Sequence, residues 1–246
     1  MRPFVFCHVP HSSTLIPENC RREFLTALPP EIGKMTDLYT DDLFDIGVER
    51  LIFPVSRLVC DPERFRDDER EPMSRVGMGA VYTRCQDGSP LRLITAARRE
   101  ELLREWYDPH HRRLLLMTRR RLALFGRCLI IDGHSFPHEP LPYEEDKSPR
   151  PDICVGTDSF HTPGALAESL ESGFRRLGYT VCRDRPFAGA IVPLPLYRQE
   201  RRVASVMIEV DRSLYMDKAG GKTSRYQRTK NDLRRVLEDA AGELAP

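Results

Sequence analysis

The sequence predicts an α/β protein, a β-sheet covered by helices on both faces. Apolar runs rich in β-branched residues recur at 4–9, 52–59, 128–132, 153–155, 179–182 and 203–210, and longer stretches of helical periodicity lie between them. Strands alternating with helices in this way build sheets that are packed on both faces. The length of 246 residues, with no compositional break between halves, fits one domain over residues 1–246.

The elements follow in order. The first run ends in Pro10-His11-Ser12-Ser13, so a strand delivers an imidazole at its carboxyl end. Thr36 is an N-cap residue ahead of a stripe of Leu43, Phe44, Val48 and Leu51, which predicts a helix there. The next run, 52–59, predicts a strand carrying Arg57, and the polar stretch 66–92 a long loop. Asp108-Pro109 opens a helix over the Leu114 to Phe125 run, since proline suits the first helical turn. The strand 128–132 leads into Asp132-Gly133-His134-Ser135, and a second long loop spans 136–152. Thr162-Pro163 caps a helix bearing Leu166, Leu170 and Phe174, and a last helix runs from about 225 to 244.

Composition narrows the class. With 38 basic and 37 acidic residues the chain has no global field to draw it onto nucleic acid or an anionic membrane. The start lacks a basic, then apolar, export pattern, and no apolar run approaches the roughly 18 residues of a membrane span. Seven cysteines, an odd number without a CxxC pair, read as reduced thiols. A cytoplasmic enzyme or binding domain is expected. The Arg119-Arg120-Arg121 piece reads as a solvated helix face.

The chemistry concentrates at strand ends, where open α/β sheets bind ligands. His11 and His134 each close an apolar strand, and neutral imidazoles suit a zinc site that takes three protein ligands. The third ligand must come from elsewhere: Asp37 and Asp41 lie four apart, on one face of the predicted helix, and either fits. Arg57 and Arg64, on a strand and the turn after it, are planar clamps for a substrate carboxylate. Glu209 places a carboxylate within an apolar strand, where an unpaired charge costs several kcal/mol in rough terms. Beside a metal and water it would serve as general base.

The segments Pro10-His11-Ser12-Ser13, Thr36-Asp37, Ser56-Arg57, Asp61-Pro62-Glu63-Arg64, Asp132-Gly133-His134-Ser135 and Ile208-Glu209-Val210 stand together in an order that resembles the N-formylglutamate amidohydrolases. Tyr107-Asp108-Pro109-His110-His111, Pro186-Phe187-Ala188-Gly189-Ala190 and Leu214-Tyr215-Met216-Asp217 resemble further blocks of that family. The resemblance implies a mixed parallel and antiparallel sheet of the zinc carboxypeptidase and aminoacylase kind. It also implies one zinc ion, or another divalent metal, held by His11 and His134, with Glu209 as the base. Arg57 and Arg64 would hold the carboxylate of a small acidic N-acyl amino acid or polarise its carbonyl.

Three positions depart from the pattern. Thr14 stands where the carboxypeptidase pattern has a glutamate three residues after its first histidine, so the third ligand is assigned to Asp37, with Asp41 and His8 as alternatives. Glu63 stands where the family usually has asparagine, which bears on carboxylate binding. His8 precedes His11 by three, although alternation along a continuing strand would point the two to opposite faces. Two other functions stay open: hydrolysis of another N-acyl amino acid or a short cell-wall peptide, and a metal-free binding domain of the same fold.

Overall fold

The computed structural model describes residues 2–243; Leu244, expected at the end of the last helix, lies outside the described residues. Six strands form one sheet in the order β2-β1-β3-β6-β4-β5, with β1 Val5–Val9, β2 Arg50–Ile52, β3 Cys128–Phe136, β4 Ile153–Gly156, β5 Val181–Arg183 and β6 Val203–Asp211. The pairs β1 with β2, β1 with β3, β3 with β6 and β4 with β5 are parallel, whereas β4 runs antiparallel to β6. The sheet is therefore mixed. The helices are α1 Glu18–Arg21, α2 Leu28–Met35, α3 Thr40–Leu43, α4 Ala96–Leu102, α5 Asp108–Phe125, α6 Gly164–Arg176 and α7 Tyr226–Glu243.

Alternate strand residues divide between two cores, as the period of two demands. Val5, Cys7, Leu129, Ile131, Val206 and Ile208 pack with Leu170 and Phe174 of α6 and Val236 and Leu237 of α7. Phe6, Ile130 and Val203 face the other way, onto Leu114 and Met117 of α5. Helices thus cover both faces. A third cluster, including Phe53, Val55, Leu58 and Tyr82, lies among the segments before α5. All seven cysteines are free, and no helix among the described residues is long and apolar enough to cross a membrane.

Two sequence expectations are corrected. The run 52–59 pairs only at its start, because Pro54 has no N–H for a ladder and the chain turns, with Val59 N–H donating to Ser56 O. Arg57 therefore sits in a turn. The helix expected from Thr36 is confined to Thr40–Leu43: Thr36 instead caps the carboxyl end of α2, and Tyr39 at φ 69° breaks the helical path. Asp37 and Asp41 consequently do not share a helix face. The helix expected from Asp108 is present as α5, and it continues directly from α4, capped by the Thr95 side chain, through a π turn at Leu103–Tyr107. Such a turn accommodates Pro109, which lacks the N–H that an unbroken helix would use.

Candidate active site

The sheet face that begins as apolar core turns polar towards the carboxyl ends of its central strands. On β1, Phe6 is followed on that face by His8; on β3, Ile130 is followed by Asp132 and His134; on β6, Val203 is followed by Ser205, Met207 and Glu209. Register aligns these groups across strands: His8 partners Asp132, and His134 partners Glu209. Asp132, His134 and Glu209 border a cavity of about 400 Å³, which His11, Asp37, Arg57 and Arg64 also line.

His11 follows the end of β1, and its carbonyl accepts a hydrogen bond from the Asp37 N–H, tying the segment after α2 to this strand end. The Oδ2 of Asp37 lies 3.6 Å from His11 Nδ1 and 3.3 Å from His134 Nδ1. His11, Asp37 and His134 are buried, each offering a ligand atom within 4.8 Å of the others. Two imidazoles and one carboxylate are a donor set that suits zinc. The Nδ1 of His11 is buried without a hydrogen-bond partner, the state expected of an atom placed for a ligand. The residues present thus fit a divalent ion. Asp41 is exposed and outside this group, and His8 belongs to a neighbouring group with Glu63 and Asp132.

The outer nitrogens of both imidazoles meet carboxylates, an arrangement that fixes the tautomer and orients a ligating ring. His11 Nε2 donates to Asp61 Oδ1 at 2.8 Å, while His134 Nε2 lies 3.1 Å from both Asp132 Oδ1 and Glu63 Oε2. Asp61 is a hub. Its Oδ2 accepts from Arg57 Nε, Arg57 Nη2 and the Tyr82 hydroxyl, and its Oδ1 also accepts from the Glu63 N–H. Arg64 Nε lies 3.7 Å from Asp61 Oδ2 without a hydrogen bond. The turn bearing Arg64 is held by α5 and the π turn, through Tyr107 Oη to Arg64 O and His111 Nε2 to Pro62 O.

Arg212 completes the wall. Its Nη2 donates to Asp37 Oδ1 at 2.8 Å and its Nη1 to Lys34 O. Burial alone would raise the pKa of Asp37, but the His11 and His134 imidazoles and the Arg212 guanidinium hold it well below the usual carboxylate range. Glu209 differs: burial, helped by the charges of Asp37 and Glu63 and opposed by His134, pushes it up to about 7. One of its oxygens, Oε2, is buried and has no hydrogen-bond partner. A carboxyl with that pKa exchanges protons near neutral pH.

Sequence reasoning missed three of these groups. Asp132 carried a legible signal, since it precedes His134 by two on one strand and so shares its face. Asp61 and Arg212 carried none, because their contacts to His11 and Asp37 span distant chain segments.

A mixed sheet that brings two histidines and a buried acid to the carboxyl side of its central strands, beside the carboxylate of Asp37, defines an α/β protein with a candidate metal-binding group. The profile of the N-formylglutamate amidohydrolase family matches residues 3–216, and the chain belongs to this family of amide-bond hydrolases. It is 28% identical over 218 residues to the N-formylglutamate deformylase of Pseudomonas aeruginosa, covering 82% of this chain and 80% of that protein. In fold it is similar to the crystal structure of the N-formylglutamate amidohydrolase of Ralstonia eutropha, with TM-score 0.84, 23% identity and coverage of 97% of this chain and 93% of that one. A gene product of Agrobacterium tumefaciens shares the fold at TM-score 0.71 and 18% identity, covering 99% of this chain and 92% of that one.

Proposed function

We propose that residues 1–246 act as a single cytoplasmic, zinc-dependent catalytic domain that hydrolyses N-formyl-L-glutamate to formate and L-glutamate. The observation that carries this reading is the meeting of His11 Nδ1, Asp37 Oδ2 and His134 Nδ1 on the wall of a cavity that the Glu209 carboxyl also borders. The family, and the deformylase relative, supply the substrate class. Seven free thiols support a reducing compartment.

His11, Asp37 and His134 would hold one zinc ion, or another divalent metal. When bound, such an ion supplies Lewis acidity that polarises the amide carbonyl and makes water a nucleophile near neutral pH. Glu209 takes a proton from the attacking water and returns it to the leaving nitrogen, a cycle that its pKa of about 7 suits. Arg57, pinned by Asp61, faces the developing oxyanion, and Arg64, whose Nε has no hydrogen-bond partner, receives the substrate carboxylate. These groups orient the acyl carbon against the water.

The test is metal content together with hydrolysis of formyl-, acetyl- and succinyl-amino acids. Near-stoichiometric zinc with turnover of formylglutamate is expected; a metal-poor, inert protein would leave the binding-domain reading instead. A second enzymatic reading, another N-acyl amino acid or a short peptide, is favoured by the negative charge that Glu63 adds to the cavity. Turnover of the acetyl or succinyl compounds in preference to the formyl one would select it.

A further inference from the structure

Behind His134 a line of buried polar groups continues to α5. His8 Nδ1 lies 2.8 Å from Asp132 Oδ1, and His8 Nε2 lies 2.8 Å from His110 Nε2. All three side chains are buried, His8 wholly so. The other oxygen of Asp132 accepts from the Ile191 N–H at 3.3 Å, so the carboxylate is held at both ends. His110 packs edge-on against Phe53 and is not among the residues that line the cavity.

The contact between two imidazole nitrogens constrains their protons. One nitrogen must donate and the other accept, since two bare lone pairs or two N–H groups at this separation repel. If His8 carried its proton on Nε2, a bare Nδ1 would face the Asp132 carboxylate, two acceptors buried against each other. Donation from His110 Nε2–H to His8 Nε2 removes that conflict: His8 then carries its proton on Nδ1 and gives it to Asp132. Asp132 Oδ1 in turn lies 3.1 Å from His134 Nε2, an ion-pair contact without a hydrogen bond, while His134 Nδ1 faces Asp37. Burial keeps His110 neutral, pushing its pKa down to about 2.

We propose that His110 and His8 are positioning residues that set the orientation of Asp132 by two directed hydrogen bonds from α5, and that Asp132, through its ion-pair contact with His134, sets the ligating nitrogen of the metal-binding group. This rests on the metal reading above, and it assigns no contact with substrate to either histidine. A packing role and a hydrogen-bonding role make opposite predictions at position 110. Phenylalanine keeps the ring and its contact with Phe53 but has no donor, whereas the amide nitrogen of glutamine stands where His110 Nε2 stands and still donates.

The experiment compares His110→Phe and His110→Gln in the full chain, titrated with zinc against a competing chelator, alongside ring-nitrogen NMR of the metal-free wild type. Loss of an outer partner costs about 10-fold in metal affinity at the low end of its usual range. His110→Phe is expected to bind zinc about 10-fold more weakly, with His110→Gln close to wild type. The NMR should show a protonated Nε2 on His110 and a protonated Nδ1 with bare Nε2 on His8. Equal affinities in the two variants, or a weaker glutamine variant, would overturn the proposal, as would an unprotonated His110 Nε2. Should wild type bind no zinc, the metal reading fails by itself, and the NMR still decides the hydrogen-bond direction. If neither variant folds, His8→Asn against His8→Phe repeats the comparison one step nearer Asp132, asparagine retaining a donor at the Nδ1 position.

Discussion

A Cβ placed on Gly133 would fall 2.6 Å from the ring of Phe44, closer than any real contact allows. Phe44 is itself fully buried in the core shared with α6 and α7, so its ring cannot retreat. The glycine between Asp132 and His134 is therefore a requirement of packing, on the strand face opposite the imidazole. Gly133→Ala should destabilise the protein by about 1–3 kcal/mol through overpacking and weaken metal binding by displacing His134. Denaturant unfolding and zinc titration measure the two effects; a variant of unaltered stability would contradict the contact.

Glu209→Gln keeps the shape and burial of the side chain but cannot carry a proton between water and leaving group. The variant should hold zinc as wild type does and lose about 10²- to 10⁴-fold in turnover, the usual share of a general base. Turnover close to wild type would remove Glu209 from the mechanism.

In the ion-free protein, the carboxylates of Glu63 and Asp132 outweigh burial and hold the pKa of His134 well above its ordinary value. An ion at Nδ1 therefore competes with a proton. Zinc binding at pH 7 is expected to release about one proton from this group. Calorimetry in buffers of different ionisation enthalpy reads that number directly; binding without proton release would mean that His134 is not a ligand.

His111 gives a pH effect on stability. Burial lowers its pKa to about 4, against the raising effect of the hydrogen bond to Pro62 O. A folded-state pKa below the unfolded value of about 6.5 means that the unfolded chain binds the proton first as pH falls. Its contribution is complete above about pH 6.5 and declines towards pH 4, at roughly 1 kcal/mol per pH unit. Urea unfolding between pH 7.5 and 5 should show this slope, and His111→Gln should flatten it.

How much of this was legible depended on whether the signal was local. The strand ends bearing His11 and His134 were readable because each apolar run stops at its histidine, and β6 because Glu209 interrupts an apolar pattern. The run after Ile52 misled for the opposite reason: Phe53, Val55, Leu58 and Val59 are fully buried, but by loop packing around Pro54 rather than by strand pairing. Helices α2 and α4 went unread. Asp37 could not be separated from Asp41 by spacing, because its place is set by a backbone bond to His11 and an ion pair with Arg212, both made by distant segments. Asp61 and His110 were hidden in the same way, their partners lying on β1 or just beyond it.

The last strand among the described residues, β6, lies inside the sheet, between β3 and β4. During synthesis, β4 and β5 are therefore made before the neighbour that joins them to β3. A truncated product ending before Val203 would have both imidazoles and Asp37, yet no Glu209 and no central strand to hold the two halves of the sheet together. Biosynthesis thus withholds the acid until the other members of the group have been made, so no translation product ending before Glu209 carries a complete set of reacting groups.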